Sequence, residues 1–257
     1  MDLQLQSSQV KQIRERAGLV YIFSASGVDI YRRRDWQRIA WAVLAGCRSG
    51  AVSDLGVWLA TAYGLWHLPH GVTGAASSRL ALTYTDASAT ALQSADVLGV
   101  DGAGSALLVV TAAGVDYLPT LGEIYRYTAA GCPGACAIGP GRIAYAVAAG
   151  CHVLDAPSAD WTAGEVAALT AAGSPAILSD TVRVLTWGTD LFIGTNAGLN
   201  IYAPVAETLA AITGPLGAVL DIRTLCPTPQ ASAAGGHCAF GTSDGAGGGQ
   251  FGILAIG

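Results

Sequence analysis

Six cysteines, four histidines and a few charged clusters are the residues of this 257-residue sequence that could do chemistry. Cys226 and Cys238 flank a segment rich in proline, alanine and glycine, and Cys132-Pro-Gly-Ala-Cys136 forms a tighter pair. Neighbouring strands bring two thiols within disulfide reach when their register is right. Closing a loop of this length adds roughly 2–3 kcal/mol. Cys226–Cys238 is therefore a candidate bridge, with Cys132–Cys136 a weaker second; buried reduced thiols are the alternative, and either bridge would persist only where thiols are not kept reduced. Cys47 and Cys151 are expected to be free or bonded to another subunit. The three-residue spacing of Cys132 and Cys136 is not that of a zinc knuckle or a redox motif, and no second close pair completes a four-thiolate site.

The other candidates are less specific. His67 and His70 stand three apart on a turn without a neighbouring carboxylate and read as loop histidines, while His152 and His237 fall in or beside strands. Asp29 and Asp116 could share acid–base work only if close together, as in glycosidases. They occupy equivalent positions of separate repeats and are expected to be solvated strand residues. Arg32-Arg33-Arg34-Asp35-Trp36 is the densest charge cluster. Guanidinium groups beside an indole can hold a phosphate, a sugar acid or an acidic protein surface, or can lie over apolar surface as a solvated turn. The glycine run between Asp244 and Gln250 lacks the aspartates or lysine of a calcium or phosphate loop. There is no nucleophile elbow, zinc-protease helix or phosphate loop. The sequence thus assigns no catalytic residue, metal or cofactor.

Composition bounds the elements that must carry these residues. The chain is 52% hydrophobic and only 12% charged, with 34 glycines, which is ample for a core and calls for many tight turns. A net charge of −5 disfavours nucleic acid as a partner. Residues 55–78 lack any Asp, Glu, Lys or Arg, long enough to cross a bilayer. The run is broken by Gly64, Pro69, Gly71 and Gly74 and reads as strand, turn, strand, so no membrane span is expected. The opening MDLQLQSSQVKQIRER lacks the apolar core of a secretion signal, which predicts synthesis in the cytoplasm.

A repeat decides the architecture. Four or five apolar residues, a hydroxyl, two small or polar residues, a glycine and a second apolar strand recur six times. The segments are LVYIFSASGVDIY (19–31), VWLATAYGLWHL (57–68), LLVVTAAGVDYL (107–118), IAYAVAAGCHVL (143–154), LFIGTNAGLNIY (191–202) and CAFGTSDG (238–245) followed by QFGILAI. The glycine column is Gly27, Gly64, Gly114, Gly150, Gly198 and Gly245, and three positions earlier stand Ser24, Thr61, Thr111, Val147, Thr195 and Thr242. Glycine supplies positive φ at a hairpin, and the hydroxyl can hold the turn backbone. Apolar runs without alternation mean strands buried on both faces.

Further strands are expected at 10–14, 97–101, 182–185 and 219–223 before the hairpins, and at 36–41, 79–85, 123–128 and 207–212 after them. Four strands in about 43 residues is the size of a propeller blade. The expectation is an all-β, six-bladed β-propeller of four-stranded blades, one domain over residues 1–257. Residues 2–6 are expected to complete the last blade and close the ring. The innermost strands would then bring Lys11, Arg14, Arg183, Arg223, Asp101 and Asp221 to a channel or its rims.

LFIGTNAGLNIY and VWLATAYGLWHL, with their apolar–Gly–Thr–x–x–Gly–Leu core, resemble blades of the two-component-regulator propellers. The resemblance extends over all six units and implies the fold. In that family the propeller is usually a sensor joined to a membrane span and a kinase; these 257 residues contain neither, so only the fold carries over. The functional expectation is a non-enzymatic structural or interaction propeller, partnered by other protein subunits of a larger assembly. Phages carry small propellers in neck, tail and baseplate, so a virion protein is the concrete form, placing the chain in a virion or outside a cell. The alternatives are a glycan-binding, lectin-like propeller using Trp36, Trp41, Trp58, Trp66, Trp161 or Trp187, and a hydrolase or lyase with its site over the channel.

Overall fold

The computed structural model describes residues 4–88, 90–127, 131–138, 141–155, 164–212, 221–227, 231–243 and 251–256. Two compact units, Met1–Thr128 and Ala129–Gly257, carry three sheets each, and the six sheets make the chain a six-bladed β-propeller. In the first unit, blade one comprises β1 (Val10–Arg16), β2 (Leu19–Ser24), β3 (Gly27–Arg32) and β4 (Gln37–Val43). Blade two comprises β5 (Ser49–Ser53), β6 (Gly56–Thr61), β7 (Gly64–Leu68) and β9 (Ala81–Tyr84), with β8 (Gly74–Ala75) between its last two strands in sequence. Blade three is β10 (Val97–Ala103), β11 (Ala106–Thr111), β12 (Gly114–Thr120) and β13 (Glu123–Tyr127). In the second unit, blade four is β14 (Ala135–Ala137), β15 (Arg142–Val147), β16 (Gly150–Asp155) and β17 (Glu165–Leu169). Blade five is β18 (Val182–Trp187), β19 (Leu191–Thr195), β20 (Gly198–Ala203) and β21 (Thr208–Ile212), and blade six contains β22 (Asp221–Pro227), β23 (Gly236–Ser243) and β24 (Phe251–Ile256). Neighbours pair antiparallel within each blade.

The second and third strands hold the core. Residues 20–24 of β2, all of β6 and all of β19 are buried, which is why these segments show no alternation. Within each unit first strands meet first strands: β5 lies against β1 and β10, and β18 against β14 and β22. Small residues permit that convergence. A β-carbon on Gly50 would fall 1.9 Å from the Phe23 ring of the adjacent blade, and one on Gly194 would sit 2.7 Å from Ile222.

The hairpin columns explain themselves in the backbone. Thr61, Thr111 and Thr195 donate their hydroxyls to the carbonyls of Gly64, Gly114 and Gly198 at 3.0, 3.0 and 2.9 Å. Each also accepts the N–H of the residue just before that glycine, at 3.1, 3.3 and 3.1 Å. The glycines have φ of +130° (Gly27), +130° (Gly64), +157° (Gly114), +105° (Gly150) and +138° (Gly198); Gly245 lies outside the described residues. Conformation is only half the reason for glycine. A β-carbon on Gly27, Gly64, Gly150 or Gly198 would lie within 2.0–2.7 Å of a fourth-strand carbonyl oxygen, of Ala42, Tyr84, Leu169 and Ile212 respectively.

Residues 69–80 hold an element the sequence reading lacks. Part of this connection forms β8, parallel to β4, with the Ala76 N–H on the Trp41 carbonyl and the Val43 N–H on Ser77 Oγ, both at 2.8 Å. Blade two thereby covers the open edge of blade one. Among the described residues no helix is long and apolar enough to cross a membrane.

Of the closing strand expected over residues 2–6, positions 2 and 3 lie outside the described residues. Residues 4–6 are not part of a sheet, and their partners are in blade one. The Tyr31 hydroxyl donates to the Gln4 carbonyl at 2.8 Å, Leu5 packs against Val20, Ile22 and Tyr31, and the Gln6 N–H donates to Asp29 at 2.8 Å. Among the described residues blade six has the order β22-β23-β24.

Two substitutions test the hairpin account by chemical denaturation. Gly64→Ala combines a positive φ with a clash against the Tyr84 carbonyl and should lose about 2 kcal/mol or more. Val147→Thr restores the hydroxyl that blade four lacks and should leave stability unchanged or raise it by up to about 1 kcal/mol. A tolerated Gly64→Ala would show that the outer strand can move away.

Candidate functional site

Two residues beyond the hairpin glycine, blades one, three and five carry Asp29, Asp116 and Asn200, all fully buried. This corrects the expectation that Asp29 and Asp116 are solvated. Each accepts a backbone N–H from the segment entering its own blade: Gln6 to Asp29 at 2.8 Å, Gln93 to Asp116 and Leu178 to Asn200, both at 2.9 Å. These donors stand four residues before Val10, Val97 and Val182, the first residues of β1, β10 and β18. One residue further along, Ser7, Ser94 and Ser179 each accept the N–H two positions ahead at 3.1 Å. The same entering strap thus recurs in blades one, three and five. At the acceptor's position blades two and four hold Trp66 and His152.

The three acceptors are satisfied differently. Asp29 forms an ion pair with Arg38, whose guanidinium lies 4.4 Å above the Trp41 ring. Asp116 takes a second bond from Gln93 Nε2 at 2.9 Å. Burial pushes its carboxyl above the ordinary range, opposed by the two Gln93 bonds and by Arg126. Asn200 returns a hydrogen bond to the Ile193 carbonyl at 3.4 Å. Charge is therefore dispensable at this position; an oxygen acceptor is what recurs.

The inner-strand charges are brought together in pairs. Arg14 Nη2 lies 3.4 Å from Asp101 Oδ1 in the first unit. In the second, Asp221 receives Arg183 at 3.3 Å and Arg223 at 2.6 Å. Lys11 is exposed on β1. Three of the histidines bond within the fold: His67 and His70 Nε2 meet the carbonyls of Leu55 and Ser53 at 2.9 and 2.8 Å. His152 pairs with Glu165 and stacks on Tyr145 at 5.5 Å. Trp58 is buried, as are Tyr21 and Phe192 in its column, and its Nε1 donates to Ser53 Oγ at 2.9 Å. That column is core rather than a row of sugar platforms; Trp161 lies outside the described residues.

Neither candidate disulfide is present: Cys132, Cys136 and Cys238 are buried thiols. In the β22–β23 register Cys226 stands opposite Ala239 and Cys238 opposite Pro227, so the two cysteines are one residue out of step. Cys132 instead donates to the Gly134 carbonyl at 3.1 Å. Burial pushes the Cys47 thiol up to about 11 and raises those of Cys132 and Cys151 as well, which leaves them protonated and weakly nucleophilic at neutral pH. The expectation of an oxidising location rested on the Cys226–Cys238 bridge and loses that support.

The arginine turn joins β3 to β4. Arg32 Nη1 reaches Asp35 at 3.1 Å, Arg34 Nε lies 3.7 Å from the same carboxylate, and Arg33 pairs with Glu15 at 2.6 Å. Trp36 follows, partly exposed and with φ of +56°.

No family model and no curated protein matches this chain. Solved structures do. The extracellular domain of the hybrid two-component system BT3049 of B. thetaiotaomicron is similar over 98% of this chain, with a TM-score of 0.62 at 15% identity. That of BT4673 from the same organism is similar over 91%, with a TM-score of 0.61 at 12% identity. The chain spans about a third of those domains (34% and 31%). The Myceliophteria thermophila Cps50 (Swd1) β-propeller domain is similar over 97% of this chain and 88% of its own length, with a TM-score of 0.63 at 12% identity. At these identities the likeness shows the fold alone.

The strap is tested by a double-mutant cycle at blade three. Asp116→Ala leaves the Gln93 N–H without its buried acceptor and should cost about 1–3 kcal/mol. Asp116→Asn combined with Gln93→Leu copies the Leu178–Asn200 pair and should recover most of that loss. The raised carboxyl also fixes a sign. Between the ordinary and raised values the folded state binds more protons than the unfolded one, so this contribution to stability grows as pH falls. Wild type minus the Asn/Leu double variant should show that slope in urea melts.

Proposed function

We propose that this chain is a non-enzymatic interaction propeller, a subunit of a larger protein assembly, and that its concrete setting is a phage virion, in neck, tail or baseplate. The observation that carries the reading is the contrast between the uniform hairpins and the varied connections around them. The second and third strands join through two-residue turns of mostly small side chains: Ala25-Ser26, Ala62-Tyr63, Ala112-Ala113, Ala148-Ala149 and Asn196-Ala197. Other connections lengthen and carry charge: at the opposite end the arginine turn and residues 69–80 with His70 and Arg79, and beside the hairpins residues 85–96 with Asp86 and Asp96 and residues 170–181 with Asp180. Repeat folds place their variable loops on the face that binds, and loops on a rigid scaffold are where recognition concentrates. The reactive side chains described above are also engaged, with thiols buried and histidines on carbonyls or a carboxylate.

The expected result is that the chain purifies from its natural source in constant ratio with other proteins. Mass-spectrometric inventory of the particle and size-exclusion of the isolated chain measure this. A solitary chain that binds a glycan array or turns over a glycoside or polyuronide would overturn it.

A further inference from the structure

Charge is distributed very unevenly along this polypeptide. The first 48 residues hold eight of the thirteen Lys and Arg residues but four of the eighteen Asp and Glu, a net of +4, leaving −9 on the remainder. Most of those cations fall on blade one, and three of them are consecutive in the turn between β3 and β4. There three guanidiniums share two carboxylates, since Asp35 serves both Arg32 and Arg34 while Glu15 serves Arg33. Arg33 and Arg34 remain 65% and 76% exposed. Exposed pairs of this kind are weak, so both guanidiniums can be shared with an incoming carboxylate.

Trp36 closes the turn with φ of +56°, a region that disfavours any residue with a β-carbon. The matching turn of blade five, residues 204–207, places Glu207 at φ of +52°. The left-handed backbone thus belongs to the four-residue turn itself, and local structure would be better served by glycine. An indole left 38% exposed there, beside two open guanidiniums, has the composition of an interface anchor.

We infer that the turn formed by residues 33–36 docks an acidic protein segment, its carboxylates on Arg33 and Arg34 and an apolar side chain against Trp36. This deepens the interaction reading above and rests on it. A short segment senses the local positive charge, because interactions beyond about 10 Å are screened at ordinary salt. A long polyanion or an anionic membrane would also meet the −9 carried elsewhere.

The test titrates the full chain against a labelled peptide alternating glutamate with leucine and phenylalanine. Its glutamine counterpart, oligothymidine and phosphatidylserine vesicles serve as competitors. The acidic peptide should bind best, and more weakly as salt rises. Arg33→Glu with Arg34→Glu, and separately Trp36→Gly, should each weaken it at least about tenfold, while Val205→Ala leaves it unchanged. Trp36→Gly relieves the backbone, so it should melt no lower than wild type, separating lost binding from lost folding. Wild-type binding by these variants, no peptide binding, or tighter binding of oligothymidine or vesicles would overturn the proposal. Native particles that incorporate Trp36→Gly at the wild-type level refute the turn alone. A chain found in no particle refutes the assembly reading instead.

Discussion

A backbone N–H that must find an oxygen inside the protein is the constraint on which this fold turns. The strap entering blades one, three and five runs beside the third strand, where a half-buried amide left unpaired would cost up to about 1–3 kcal/mol. Asp29, Asp116 and Asn200 remove that penalty from the middle of the third strand. Because donor and acceptor belong to the two ends of one blade's sequence, the bond ties the entry of a blade to its outer half. The serine that follows repeats the logic on a smaller scale, holding the last turn before the inner strand begins.

The hairpins obey a second rule of the same kind. At the hairpins of blades one, two, four and five glycine is needed both for its conformation and for the carbonyl of the fourth strand that closes over it. Hydroxyl, glycine and outer strand are thus one unit, and changing any of them exposes a polar group that the others had satisfied. Burial then follows the same path, nearly complete in the second strands of blades one to five and fading toward the fourth.

What could be read from the residues follows from where each element gets its stability. The hairpins were legible because their glycine and hydroxyl positions are demanded locally. Ser49–Ser53, Ala135–Ala137 and Glu165–Leu169 were not, since short segments rich in serine, glycine and alanine become strands only through their neighbours. Asp29 and Asp116 were misread because an isolated carboxylate between apolar residues looks alike whether it faces water or an amide. The sign was nonetheless present in the Leu-Gln-Ser tripeptides at 5–7 and 92–94, each three residues ahead of the valine that opens an inner strand. The cysteine expectation failed on register, where one residue reverses an outcome and composition is silent.

The alternation of straps bears on how such a chain can change length. An inserted blade needs an entry that its own third strand can receive, and blades two and four present Trp66 and His152 where an acceptor would stand. Because strap and acceptor lie within one blade's sequence, a blade copied whole brings an oxygen for its own amide, whereas a copy cut between them would set a strap against an indole or imidazole.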